Sequence, residues 1–135
     1  MIVFDTNALV KLAAGAEDDD DFLRIRGVVA SAEKARDPIG IPAPAFAEFL
    51  VNTDQATTEI LAMFERKQAF KILPFDKRAA YECAILDRDA LVTRRRRSGP
   101  ASPRQKVKVD RQIVAIARVH GADKIVLNRL MSGLA

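Results

Sequence analysis

A chain of 135 residues, 49% hydrophobic and 30% charged, is long enough for one domain with an ordinary core and too apolar to stay disordered. Its single cysteine, Cys83, excludes an intrachain disulfide framework and a Cys/His zinc cluster, and points to a reducing, cytoplasmic setting. The net charge of +4 is unevenly spread. Residues 94–111 carry +7, from Arg94, Arg95, Arg96, Arg97, Arg104, Lys106, Lys108 and Arg111 against Asp110, while the remainder is −3.

In chain order, Met1 to Phe4 is a short apolar run that stops at Asp5, the pattern of a buried strand. Its start has neither a basic n-region nor a cleavage-site pattern, so no secretion signal is expected. Asn7 to Ala14 has helical spacing and is stopped by Gly15. The acidic run Glu17 to Asp21 reads as a solvated loop whose acids open the next helix, over Phe22 to Arg36. Asp37-Pro38 breaks the chain before a second strand, Ile39-Gly40-Ile41. Pro42-Ala43-Pro44 leads into a helix over Ala45 to Asn52, and Thr53 or Asp54 caps another that runs to about Gln68.

Phe70 to Leu73 is a third strand, and Asp76 caps a long helix reaching Leu91. Ser98 to Pro103 is a loop, Val109 to His120 a helix ended by Gly121, and Lys124 to Leu127 a fourth strand. Strands alternating with helices imply an α/β domain over residues 1–135, with a mostly parallel sheet and helices on both faces. No apolar run approaches the ~20 residues that span a bilayer, so no membrane association is expected.

Function in such sheets gathers beyond the carboxyl ends of the strands. Asp5 stands at such an end, either as a helix N-cap or as a site carboxylate. Asp110 shares the inward stripe of Ile113, Val114 and Ala117, where a carboxylate is costly unless paired or metal-bound; a place in the first helical turn is the alternative account. Glu48 lies on the flank of the apolar stripe of Ala45, Phe46, Phe49 and Leu50. Parallel connections bring all three to one edge, where they raise one another's pKa values unless a cation neutralises them. Oxygen ligands of this kind suit Mg²⁺ or Mn²⁺, which can activate water against a phosphodiester. The only histidine, His120, reads as a structural cap, so no histidine-based triad competes.

Three segments together resemble the PIN domain family, especially the toxins of VapBC-type toxin–antitoxin pairs. Val3-Phe4-Asp5-Thr6-Asn7-Ala8-Leu9-Val10 resembles its first motif, Pro44-Ala45-Phe46-Ala47-Glu48-Phe49 its second, and Val107 to Ala117 its third, in order and over nearly the whole chain. The resemblance implies a PIN-like three-layer α/β/α fold with a four- to five-stranded sheet. It further implies a Mg²⁺- or Mn²⁺-dependent endoribonuclease, with Asp5, Glu48 and Asp110 holding metal and Thr6 and Asn7 supporting them. The expected products are 5′-phosphate and 3′-hydroxyl ends, and the expected partners are RNA, a cognate antitoxin and a second copy of the chain.

The basic stretch runs directly into Asp110, so Arg94 to Arg97, Arg104, Lys106, Lys108 and Arg111 are candidates to deliver RNA phosphates to that edge. A solvated loop is the other account of these residues. The pattern departs from the family after the fourth strand, where Leu127-Asn128-Arg129 offers neither the usual hydroxyl nor the further Asp. Asn128 falls near the expected position, with a neutral carbonyl oxygen. The rival function is therefore a catalytically weakened PIN-like module that binds RNA or antitoxin. A phosphatase is disfavoured because Asn7 stands where its second Asp belongs, and no glycine-rich phosphate loop supports nucleotide hydrolysis.

Overall fold

Ile2, Val3 and Phe4 form the central strand because they are apolar on both faces, the composition of a parallel strand covered on each side. The computed structural model describes residues 1–52, 56–66, 69–96, 104–126 and 131–133. Within them the order is β1 (Ile2–Phe4), α1 (Thr6–Ala14), α2 (Asp20–Ala35), β2 (Ile39–Pro42), α3 (Ala43–Asn52), α4 (Ala56–Arg66), β3 (Phe70–Leu73), α5 (Lys77–Arg96), α6 (Arg104–Val119), β4 (Lys124–Val126) and β5 (Met131–Gly133).

The sheet runs β3-β2-β1-β4-β5, with β1 to β4 parallel and β5 antiparallel to β4. The chain first builds outward from β1 through β2 to β3, then returns to place β4 on the other side of β1. That reversal makes the carboxyl ends of β1 and β4 the switch point of the sheet, the place where parallel sheets of this kind gather function. The backbone N–H of Asp5 donates to Val126 O at 3.2 Å, holding the two strand ends together there. The fifth strand, on the edge beside β4, was not among the strands read from the sequence.

The core sits between the sheet and the helices, with Val3, Phe4, Ile39, Ile41, Ala45 and Phe49 fully buried. Phe64 of α4 packs against Phe46, Phe49 and Phe70, with ring centroids 6.2, 6.4 and 4.8 Å apart. Helix ends follow their local chemistry. Asp19 caps α2 through Asp21 N and Phe22 N, and Asp76 Oδ1 accepts from Ala79 N at 2.9 Å. Gly121, at φ +64, closes α6 with Ala122 N donating to Ala117 O and Gly121 N to Arg118 O, a Schellman arrangement that needs a left-handed residue.

Two boundaries correct the sequence reading. Helix α6 starts at Arg104 rather than Val109, so Asp110 is mid-helix and neither a cap nor a first-turn residue. Arg104-Gln105-Lys106-Val107-Lys108 holds a single apolar residue, so periodicity could not register its helicity. Helix α5 likewise continues past Leu91 to Arg96, carrying Arg94, Arg95 and Arg96 on its last turn. Thr53, Asp54, Arg97, the predicted loop Ser98 to Pro103, and Leu127, Asn128 and Arg129 lie outside the described residues.

Candidate functional site

The sharp turn from β1 into α1 places Asp5 at the sheet's carboxyl edge. Its Oδ1 accepts from Ala8 N at 2.8 Å, so the cap role is real. The cap does not settle its charge. Burial, with the negative charges of Asp110 and Glu48 adding to it, pushes the carboxyl up from the ordinary aspartate value to about 6, against the lowering pull of the backbone N–H groups of Ala8 and Asn7. Cap and acid cluster, alternatives in the sequence, coexist in this one side chain.

Glu48 reaches the same edge from α3, on the connection that follows β2. It is half-buried, and its Oε2 accepts from Thr6 Oγ1 at 2.9 Å. This bond ties α1 to α3 across 42 residues of sequence and gives Thr6 its supporting place. Asn7, by contrast, is exposed.

Asp110 comes from α6. Ile113 and Ala117 of its stripe are buried and Val114 half-buried, but Asp110 itself is exposed. The inward stripe therefore leaves the core before it reaches Asp110, and the carboxylate stands at the rim, where its charge acts on Asp5.

Asp5, Glu48 and Asp110 are the residues that could hold a metal ion. Among the described residues, no three carboxylate, histidine or cysteine side chains converge closely enough to enclose one unaided. The donor set nevertheless suits a hard cation that keeps several waters and binds through one or two carboxylates, and a cation would relieve the mutual repulsion acting on Asp5.

The basic residues divide. Lys108 is exposed. Arg111 is half-buried and donates through Nη1 to Asp87 Oδ1 at 3.0 Å, tying α6 to α5. Asp87 was not singled out in the sequence; nothing local marks an acid on an exposed-looking helix as the partner of a residue 24 positions away. His120 lies with Nδ1 3.3 Å from Ile116 O at the end of α6, in the structural place expected of it. Asp123 sits at the opposite edge of the sheet, 3.3 Å from the amino group of Met1.

A family model described as the PIN domain matches residues 2–132. No curated protein matches the chain. Among solved structures, it resembles VapC20 of Mycobacterium tuberculosis, a toxin that cleaves the sarcin-ricin loop, with a TM-score of 0.61 and 14% identity over 93% of this chain and 87% of that one. A toxin–antitoxin complex from Klebsiella pneumoniae gives 0.59 and 18% over 94% and 85%. VapBC2 of Rickettsia felis, bound to a promoter DNA fragment, gives 0.62 and 16% over 96% and 88%. Identities this low speak to the fold, whereas the family match spans almost the entire sequence: the chain belongs to the PIN domain family.

Proposed function

We propose that this protein is a Mg²⁺- or Mn²⁺-dependent endoribonuclease, the toxin of a VapBC-type toxin–antitoxin pair. The observation that carries this reading is the Asp5 carboxyl, raised to about 6 by burial beside Asp110 and Glu48 at the switch point of the sheet. Such a cluster is costly without a cation. Asp5, Glu48 and Asp110 would hold the ion, which when bound supplies Lewis acidity and a water of lowered pKa. The chain's own contribution is positional. The Ala8 N–H fixes one oxygen of Asp5, and the Thr6 hydroxyl fixes Glu48. Lys108, together with the arginines at the end of α5, supplies positive charge for RNA phosphates.

The partners follow from the same reading. Two of the similar structures are toxin–antitoxin complexes, which supports a cognate antitoxin. Tyr81, Ile85 and Val92 form an exposed apolar stripe along α5, which supports association with a second copy. No described helix is long and apolar enough to cross a membrane, and a cytoplasmic location fits an RNA substrate.

One observation favours a second reading, a weakened module that binds without cutting: Leu127-Asn128-Arg129 stands after β4 in the sequence, where the resemblance to the family implies a further acid. RNA cleavage with Mn²⁺, compared between the wild type and Asp5→Asn, separates the two. The nuclease reading expects a loss of at least ~100-fold, because even partners of metal ligands typically contribute ~10–100-fold. Equal products from both proteins would sink it, and metal-dependent RNA binding without cleavage would establish the rival.

A further inference from the structure

Strand β3 lies at the outer side of the sheet and pairs only with β2 among the described residues. Ile39 N donates to Ala69 O at 2.7 Å, and in a parallel ladder alternate residues bond the same neighbour. Lys71 therefore turns its backbone groups toward β2, while Ile72 turns its N–H and C=O outward. The side chains alternate as well. Phe70 packs against Phe64 of α4 with ring centroids 4.8 Å apart, and Ile72, on the same face, is 45% exposed. Lys71 lies on the other face, where it lines a cavity of about 660 Å³ together with Glu33, Arg36 and Asp37 at the end of α2.

The charges around this cavity do not balance. The Met1 ammonium lies 3.2 Å from Asp37, and Glu33 has an interaction of its own. Among the described residues, neither Arg36 nor Lys71 has an acid within ion-pair distance, and both are exposed. Arg36 also holds the left-handed position that closes α2, at φ 54, where glycine is the favoured residue. A long cationic side chain kept at such a position points to a use for that side chain.

We propose that the outer side of β3 takes up an extended acidic segment of a partner protein as an added strand. Its backbone pairs with the outward N–H and C=O of Ile72, as extended peptides do on open sheets. A residue opposite Lys71 on the added strand stands ~5 Å away, within reach of an ion pair. An acid there meets Lys71 and faces the cavity that Arg36 lines, while the alternate residues cover Ile72. A charge on an outer strand ordinarily wards off pairing. Here it wards off basic strands and attracts an acidic one. The site lies at the amino ends of β2 and β3, away from the carboxyl edge, so it does not rest on the nuclease reading.

The probe is a blocked hexapeptide of alternating valine and glutamate, titrated into isotope-labelled protein with affinity read from NMR shifts. Its counterpart carries lysine in place of glutamate. The acidic peptide should bind at least ~10-fold more tightly, since each exposed ion pair contributes up to about 5-fold. Bound peptide should slow hydrogen exchange at the Ile72 amide. Arg36→Gly relieves the left-handed strain, so the variant should fold, and it should weaken binding ~5-fold. N-methylating every peptide amide tests the backbone pairing on an unaltered protein and should abolish binding. Equal affinity for the two peptides overturns the proposal, as does unchanged binding of the methylated peptide. So does no binding of the acidic peptide, or binding that leaves Ile72 unprotected. Ile72 protection that grows with protein concentration alone assigns this side of the sheet to a second copy and overturns it likewise.

Discussion

The two edges of the sheet treat their carboxylates differently. At the amino edge, the Met1 ammonium lies 3.2 Å from Asp37 and 3.3 Å from Asp123. Burial works against the ammonium, but the hydrogen bonds and charges of those two acids outweigh it and raise its pKa above the ordinary value. At the carboxyl edge, burial and the charges of Asp110 and Glu48 outweigh the backbone N–H groups of Ala8 and Asn7, and the Asp5 carboxyl is raised to about 6. Where the chain supplies its own counter-charge, the edge is closed by internal ion pairs. At the carboxyl edge, by contrast, the like charges set a demand that a cation from solution can meet.

The largest expected effect tests that contrast through pH. Asp5 titrates near 3.8 unfolded and near 6 folded, so on raising the pH the unfolded chain gives up its proton first. Stability therefore falls between about pH 4 and pH 6, and the full penalty is present above that window. With ~1.4 kcal/mol per unit, the penalty is at most roughly 3 kcal/mol. Asp5→Asn keeps a competent N-cap and removes the charge, so it should be more stable than wild type at pH 7 and equal to it near pH 3.5. Urea denaturation of both proteins across this range measures the difference. A constant difference would mean that the carboxyl edge is not strained. Added Mn²⁺ should recover the loss in wild type and do nothing for Asp5→Asn.

The next effect is on catalysis. Thr6→Val keeps a β-branched side chain but removes the hydroxyl that holds Glu48 at 2.9 Å. Cleavage should drop ~10-fold, as for other partners of metal ligands, with a stability change of only about 1 kcal/mol. Unchanged kcat with a large loss of stability would reassign this bond to simple helix packing.

How much of this was visible beforehand depends on how far each feature reaches in sequence. Strand β3, the Asp76 cap and the Gly121 stop are local, written in a short apolar segment closed by Pro74 or in one residue's backbone preference, and they stand where expected. The three segments that resemble the family's motifs were also legible, and the family match over residues 2–132 bears out the family. The individual states of their carboxylates were not. Asp110 shares an inward stripe yet is exposed, because burial depends on where the sheet ends rather than on helical angle. The Thr6–Glu48 and Asp87–Arg111 pairs span 42 and 24 residues, and no periodicity encodes a contact at such separation.

A smaller effect belongs to the amino edge. Arg36 ends α2 in the left-handed region, at φ 54 and ψ 34, with Asp37 N donating to Ala32 O and Arg36 N to Glu33 O. A non-glycine residue there costs ~1–2 kcal/mol, partly offset by the extra entropy glycine loses on folding. Arg36→Gly should therefore stabilise the protein by about 0.5–1 kcal/mol while leaving cleavage and Mn²⁺ affinity untouched. An effect on metal binding would show that the two edges are coupled and not separate.

The smallest effect examines the closure of the amino edge itself. The Asp123 side chain is 75% exposed, so its ion pair with Met1 is screened by water, and Asp123→Asn should cost only about 0.5 kcal/mol, less in high salt. Its pH dependence runs opposite to that of Asp5 in cause and position. The ammonium's pKa is raised in the fold, so its contribution is complete below the unfolded value of 8.0 and is lost as the pH rises through the higher folded value. Wild type should therefore lose a little stability as the pH rises above 8, and Asp123→Asn less. An Asp123→Asn profile matching wild type above pH 8 would leave Asp37 as the acid that closes this edge, since it is the nearer and less exposed of the two.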